Sequence, residues 1–311
     1  MRLGILGTAD IAFRRFLPAL RKCPNITYAG VASRTPEKAA KFAETFGGKV
    51  YNNYDALLVD KSIDAVYVPL PPVLHYEWGR KVLLAGKHLL MEKPFTTGLA
   101  ETAELLKIAE EKGLAVHENY MFLYHSQLAR IKAMIADGDL GEIRLYRMTF
   151  GFPKRPEGDF RYNKALGGGA LLDCGGYPVR LALELLGDTA RVVQANLSHP
   201  KGYEVDLFGS AVLKNADGFC AQVSFGMDNA YQCQLEVWGS KATLIAPRIF
   251  TAPDGFSPQV LIRNAQGEQA LQLEPDDSFY NSIKQFMAKA DSSRKIQKQA
   301  ALVDSIQKEG L

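Results

Sequence analysis

The chain has 311 residues, more than one domain ordinarily holds, and 47% of them are hydrophobic, enough to fill two cores. A net charge of +3, from 37 basic and 34 acidic residues, gives no general field for a polyanion, so nucleic acid is excluded as a partner and any bound anion must be held locally. The four cysteines, Cys23, Cys174, Cys220 and Cys233, have no C-x-x-C spacing, which argues against a zinc site or a disulfide framework and fits a reducing, cytoplasmic setting.

The opening MRLGILGTADIA lacks the uninterrupted apolar stretch and cleavage site of a signal peptide. No later stretch reaches the ~18 apolar residues of a membrane span, so no membrane association is expected. The run LGIL at 3 to 6 ends at Gly7 and is followed by a helical pattern through Leu17 and Leu20. A second run, Thr27 to Ala32, precedes a helix for which Thr35 can serve as N-cap, Pro36 as first-turn residue and Gly47 as stop signal. Further strands are predicted at Ala65 to Val68 and His88 to Met91, with helices from about His75 to Ala85 and Ala100 to Lys112. Strand and helix alternating in this way predict an α/β fold with a parallel, doubly wound sheet.

Beyond Asn119 the pattern changes to one helix (Ser126 to Ala136), a strand near Ile143 to Phe150, a loop and a Gly-flanked helix from about Ala170 to Leu186. Runs at Val192 to Leu197, Leu207 to Leu213, Gly218 to Phe225 and Gln232 to Gly239 alternate in part and predict an open, mostly antiparallel sheet. The last thirty residues read as helix, an element able to pack back on the first domain. The expected domains are 1–119, binding the cofactor, and 120–311, binding substrate and forming oligomers.

A dinucleotide turn needs a tight bend, a close backbone approach and tight helix packing, and Gly7, Ala9 and Ala12 stand at those positions. With two alanines for glycines the motif alone does not separate a dinucleotide site from an ordinary strand-to-helix turn. At the end of the second strand, where an acidic residue would accept the ribose hydroxyls of NAD, the chain has Ser33 and Arg34. A hydroxyl beside a guanidinium suits a 2′-phosphate, so the expected cofactor is NADP(H). Lys38 could add charge there, although a solvated surface lysine describes it as well.

Glu92, Lys93 and Pro94 follow the strand HLLM at a carboxyl end, where open parallel sheets bind ligands. A surface ion pair is the plainer reading of that lysine. Downstream, Asp173 and Tyr177 are four apart and would share one helix face, with Gly167 to Gly169 and Gly175 to Gly176 clearing space for a ring system. The same segment can be read as a packing helix with a capping aspartate and a core tyrosine. Hydride transfer to a ketone leaves an alkoxide that needs a proton, and a tyrosine of pKa ~10 donates it better beside an ammonium, so Lys93 and Tyr177 are the candidate catalytic pair. No metal is required. His75 and His125 could each line the cofactor or simply cap a helix; His88 and His117 read as structural.

Together these motifs resemble the glucose-fructose oxidoreductase, inositol dehydrogenase and MocA family across nearly the whole chain. The matching segments are the Gly7 turn, PLPPVLH, AGKHLLMEKP at 85 to 94, EN at 118 to 119, GDLGEIR at 138 to 144 and the glycine-rich helix. The resemblance implies a Rossmann domain, a second α/β domain whose open sheet makes a homodimer or homotetramer, and a catalytic lysine at Lys93. Tyrosine at 177, where many members carry histidine, is similar to the NDP-sugar 3-ketoreductases and to the dihydrodiol or pentose dehydrogenases. LGTADIAFRR, ENYMFLYHSQ and GDFRY favour the former.

By that resemblance Arg161 and Asp173 lie by the nicotinamide half. Gly7, Thr8, Ala9, Asp10, Ile11, Ala12, Phe13, Arg14, Tyr54, Leu70, His75 and Glu92 join Ser33, Arg34, Lys38 and Lys93 around the cofactor. Pro71 and Pro72 replace an Asn frequent in the family, removing a hydrogen bond to the nicotinamide ribose. The expected substrate is a nucleotide-activated hexose carrying a 3-keto group, with Tyr177 as proton donor and Tyr231 and Trp238 as further substrate candidates. The alternatives are a dehydrogenase of a free sugar or trans-dihydrodiol, and a catalytically silent NADP-binding regulatory protein.

Overall fold

The computed structural model describes residues 1–289 and 292–310. The chain divides into two compact units, Met1–Tyr120 with Phe279–Ala300, and Met121–Ser278 with Ala301–Leu311.

In the first unit, six strands form one parallel sheet: β1 (Arg2–Leu6), β2 (Thr27–Ala32), β3 (Lys49–Tyr51), β4 (Ala65–Val68), β5 (His88–Met91) and β6 (Val116–Glu118), in the order β3-β2-β1-β4-β5-β6. Interleaved with them are α1 (Leu17–Arg21), α2 (Pro36–Phe46), α3 (Tyr54–Leu58), α4 (His75–Leu84) and α5 (Leu99–Lys112). β4 reads AVYV and is buried along its whole length, the continuous apolar run that a strand covered on both faces requires. The strand order reverses between β1 and β4, which opens the ligand-binding crevice of such sheets at their carboxyl ends. Registers Leu6 to Ala32, Val68 to Met91 and Met91 to Glu118 align those ends, so Gly7, Ser33, Glu92 and Asn119 follow along one edge.

Two details differ from the sequence reading. α2 starts at Pro36 and stops at Gly47 as expected, but the Thr35 side chain makes no capping bond; Ser33 Oγ instead accepts the Thr35 N–H at 3.1 Å. β3 and α3 were not anticipated, because three and five residues are too few to display a period.

The second unit holds α6 (Ser126–Ala136), β7 (Ile143–Gly151), α7 (Gly176–Leu186) and β8 (Arg191–Ser198), followed by β9 (Phe208–Lys214), β10 (Cys220–Gly226), β11 (Gln232–Gly239), β12 (Thr243–Ala246), β13 (Gln259–Asn264) and β14 (Gly267–Gln272). Its sheet runs β14-β13-β12-β11-β7-β10-β9-β8, antiparallel throughout except for the parallel pair β7 and β10. α7 packs on β7 and β10 and is buried along most of its length. The terminal helical region is two helices, α8 (Ser278–Met287) and α9 (Ser293–Glu309), rather than one. Positions 290, 291 and 311 of that expected helix lie outside the described residues.

Candidate functional site

The turn after β1 is built by Gly7, whose φ of +94° is open to glycine and whose added Cβ would meet Leu70 Cδ2 at 2.6 Å. Its N–H donates to Ala32 O at 2.8 Å, which ties the turn to β2. The chain then enters a π-turn, Ala12–Phe16, before α1, a distortion often found where helices serve a site. Thr8 and Ser33 hydroxyls lie 3.1 Å apart. Arg34 hydrogen-bonds to Tyr54, whose pKa is raised by burial against the pull of that guanidinium. Gly7, Thr8, Ser33, Arg34, Tyr54 and Leu70 are thus brought together, presenting hydroxyls and a guanidinium around a close-approach turn, a donor set that suits a phosphorylated ribose.

Of the other residues expected at this site, three have partners within the protein. Asp10 and Arg14 pair with each other at 2.8 Å and are about three-quarters exposed, a contact worth roughly 1 kcal/mol at most. Phe13 packs edge-on against Phe42 and Phe46, both at 5.1 Å, and so serves the α2 interface. Ala12 is buried, Ala9 and Ile11 are half-buried, and Lys38 is exposed.

Beyond β5, the Lys93–Pro94 peptide is cis. Glu92 anchors this segment: its Oε1 accepts the Tyr67 hydroxyl and the Asn119 amide, both at 2.6 Å, and its Oε2 takes the Lys93 N–H at 3.4 Å. Burial raises the Glu92 pKa above the ordinary carboxylate range, opposed by those three bonds and by the charge of Lys93. The chain of bonds continues from Ser282 to Asn119 Oδ1 at 2.8 Å, with His117 Nε2 2.9 Å from the same hydroxyl. Asn119 and Ser282 are participants that sequence reasoning missed, since a polar residue 163 positions away gives no local signal.

His75 is fully buried rather than at the surface, and its ring nitrogens lie 2.7 Å from Pro94 O and Leu70 O instead of capping α4. His125 does cap α6, its Nδ1 accepting the Gln127 N–H at 3.2 Å.

In the second unit a second π-turn, Leu171–Gly175, carries Asp173 and leads into α7. Asp173 therefore does not sit in the regular helix that the four-residue spacing predicted. Arg161 Nε donates to Asp173 Oδ2 at 2.8 Å, and its Nη1 to Asp159 Oδ1 at 3.1 Å. Burial works against the Arg161 charge, but the two carboxylates more than offset it and raise the pKa. Tyr177 is buried in α7, with the rings of Phe150, Phe122 and Phe250 centred 5.0, 5.8 and 6.0 Å from its own.

The glycines have a different reason from the one expected. A Cβ on Gly168 would stand 2.4 Å from Arg161 O and one on Gly175 3.0 Å from the Phe225 ring, so they admit protein backbone and core rather than a ligand ring. Gly169, at φ +120°, leaves room for Asp206, whose carboxylate accepts the Leu171 N–H at 2.7 Å where the helical segment begins. Tyr231 bonds Thr251 Oγ1 at 2.9 Å, and Trp238 stands half exposed with the Arg147 guanidinium 5.4 Å from its ring centre. Among the described residues, no group of three or more His, Cys, Asp or Glu side chains is placed to hold a metal ion, and no helix is long and apolar enough to cross a membrane.

A family model described as an oxidoreductase family with an NAD-binding Rossmann fold matches residues 1–120, and a GFO/IDH/MocA C-terminal domain matches 128–245. The chain belongs to the GFO/IDH/MocA oxidoreductase family. It is 42% identical to a dTDP-3,4-didehydro-2,6-dideoxy-alpha-D-glucose 3-reductase of Actinomadura kijaniata, over 98% of this chain and 94% of the relative. It is 31% identical to D-xylose 1-dehydrogenase (NADP(+)) 2 of Haloferax volcanii, over 92% and 88%. The crystal structure of KijD10, a 3-ketoreductase from Actinomadura kijaniata in complex with NADP and TDP-benzene, matches with a TM-score of 0.95 and 40% identity, covering 99% of this chain and 97% of that one. The parallel sheet of the first unit and the mostly antiparallel sheet of the second agree with the sequence reading of an α/β fold.

Proposed function

We propose that this oxidoreductase reduces the 3-keto group of a TDP-linked deoxyhexose with NADPH. The observation that carries the reading is the 42% identity, over nearly the full length of both chains, to a reductase of that substrate type. Lysine and tyrosine variants of KijD10 have been crystallised with NADP and TDP-benzene. The positions varied are separated along their chain by the same number of residues as Lys93 and Tyr177.

NADPH, when bound, supplies the hydride that reduces the carbonyl carbon. Gly7 gives the close backbone approach for its diphosphate, and Thr8, Ser33 and Arg34 supply the hydroxyls and positive charge that a 2′-phosphate needs. Tyr177 donates its phenolic proton to the carbonyl oxygen as the C–O π bond breaks, and the ammonium of Lys93 stabilises the resulting phenolate. Arg161, fixed by Asp159 and Asp173, adds an oriented cation beside the reacting groups. The second unit binds the nucleotide-sugar, and the exposed Val193, Phe208 and Trp238 on its strands support pairing of copies into a homodimer or homotetramer. The chain works in the cytoplasm, where NADPH is available.

The deciding experiment follows NADPH oxidation with a TDP-3-keto-deoxyhexose. Turnover is expected; its absence with every keto-sugar nucleotide, alongside good activity on free sugars, would overturn the reading. The 31% identity to a xylose dehydrogenase supports a free-sugar dehydrogenase as second reading. Competition by free TDP separates the two, because only a nucleotide-sugar enzyme has a subsite for it.

A further inference from the structure

His75 lies between the two loops on which the first unit's part of the proposed chemistry depends. Leu70, on one side, packs its side chain at Gly7; Pro94, on the other, directly follows Lys93. Both backbone carbonyls sit 2.7 Å from a ring nitrogen, and both are acceptors. A neutral ring has one N–H and donates to one of them; only the imidazolium donates to both. Burial opposes the imidazolium, the two carbonyls favour it and the charge of Lys93 opposes it, and the balance leaves the group at about 4. Near neutral pH there is therefore a single N–H to place.

Its place follows from what each carbonyl would lose. The contact with Pro94 O is buried, whereas the contact with Leu70 O is only part-buried. A buried acceptor without a donor costs more than one that water can reach. Around it, Glu92 N–H reaches Val68 O at 3.2 Å, Phe95 N–H reaches Glu118 Oε1 at 2.8 Å and Lys93 N–H meets Glu92 at 3.4 Å, while Pro94 has no N–H of its own.

We propose that His75 is a positioning residue for Lys93: its Nδ1–H holds the Pro94 carbonyl and so fixes the backbone from which the Lys93 side chain projects. The proposal rests on the reading of Lys93 as the partner of the proton donor. It gives the buried histidine a role that acts through the lysine and involves no contact with substrate.

The two arms of the ring can be tested separately in the full chain. Asn carries its amide close to where Nδ1 stands, and Gln reaches further, toward the position of Nε2. His75→Asn should keep kcat within about threefold of the parent while KM for NADPH rises, since the Leu70 side is what it gives up. His75→Gln should lower kcat by about tenfold or more with KM for NADPH unchanged, and should cause no further loss in a Lys93→Ala background. A reversed pattern, equal losses in both variants, or a His75→Gln loss that persists without Lys93 overturns the proposal.

A substrate-free measurement separates this from failure of the ketoreductase reading. Lys93 is reductively methylated with 13C and its resonance, assigned with Lys93→Ala, is compared between parent and folded His75→Gln. A changed titration midpoint supports the clamp and an unchanged one overturns it, whether or not any keto-sugar nucleotide turns over. If His75→Gln does not fold, the same resonance in His75→Asn must match the parent, and a mismatch overturns the clamp.

Discussion

The hydroxyl oxygens of Thr8 and Ser33 lie 3.1 Å apart, joining the turn after β1 to the end of β2. Ser33 also accepts the Thr35 N–H, so one small side chain both fixes the start of α2 and closes the edge of the proposed cofactor site. An aspartate at 33 would put a carboxylate beside Arg34 and against a 2′-phosphate. Ser33→Asp should raise KM for NADPH by about tenfold or more while NADH becomes the better cofactor. Arg34→Ala should weaken NADPH by a similar factor and leave NADH unchanged. The ratio of kcat/KM for the two cofactors checks both, and a ratio unmoved by either change would remove these residues from the site.

Arg161 is held by two carboxylates, and its side chain is about a quarter exposed. Replacing it with Met leaves Asp159 and Asp173 without their cation. Because solvent reaches the cluster, the expected stability loss is only about 1–2 kcal/mol, less than for a fully buried pair. The loss in kcat should be larger than that stability change implies. Denaturant melts followed by tryptophan fluorescence, together with steady-state rates, measure the two effects side by side.

A methyl group at position 168 would sit 2.4 Å from the Arg161 carbonyl and 2.8 Å from that of Asn163, both backbone atoms with little room to yield. Gly168→Ala should cost about 2 kcal/mol or more and displace the Arg161 loop. A Tm equal to that of the parent would show that the loop accommodates the change without cost.

His75 supplies a pH signature of its own. Burial depresses its pKa from 6.5 to about 4, so the folded chain binds this proton less readily than the unfolded chain does. The stability that depends on a neutral ring is therefore fully present above 6.5 and is lost as pH falls through about 4. His75→Asn, which has no titrating group there, should show a shallower fall in Tm over that window. Parallel curves for parent and variant would mean that another group sets the acid limit.

The parallel sheet was legible because strands such as the fully buried AVYV and the mostly buried HLLM are short, largely apolar runs bounded by turn residues, and both were placed at their observed limits. The strands at the far edge of the second sheet were not. β14, reading GEQALQ, is exposed at most positions and its pairing comes from the hairpin with β13, so no hydrophobic alternation marks it. In the candidate site, residue types are what made Ser33, Arg34, Lys93 and Asp173 candidates, since charge and hydroxyl chemistry can be read locally. What sequence could not supply was the partner of each. Asp159 lies two residues from Arg161 and could have been found in GDFRY, but the bond from Ser282 to Asn119 exists only because α8 returns to the first unit. At Gly168 and Gly169 the density of glycines was visible, but the Arg161 carbonyl and the Asp206 carboxylate that stand against them were not.

The parallel pair in the second sheet has a consequence for how this unit is made. β7 lies between β10 and β11, so both edges of the strand at Ile143–Gly151 wait for partners drawn from Cys220–Gly239. Until the ribosome has released that later stretch, β7 emerges with its backbone donors and acceptors unmatched. Its first possible companions, β8 and β9, pair with each other and not with it. The unit therefore closes from its middle late in synthesis, and the interval during which β7 is exposed is when the nascent chain is most open to association with its neighbours.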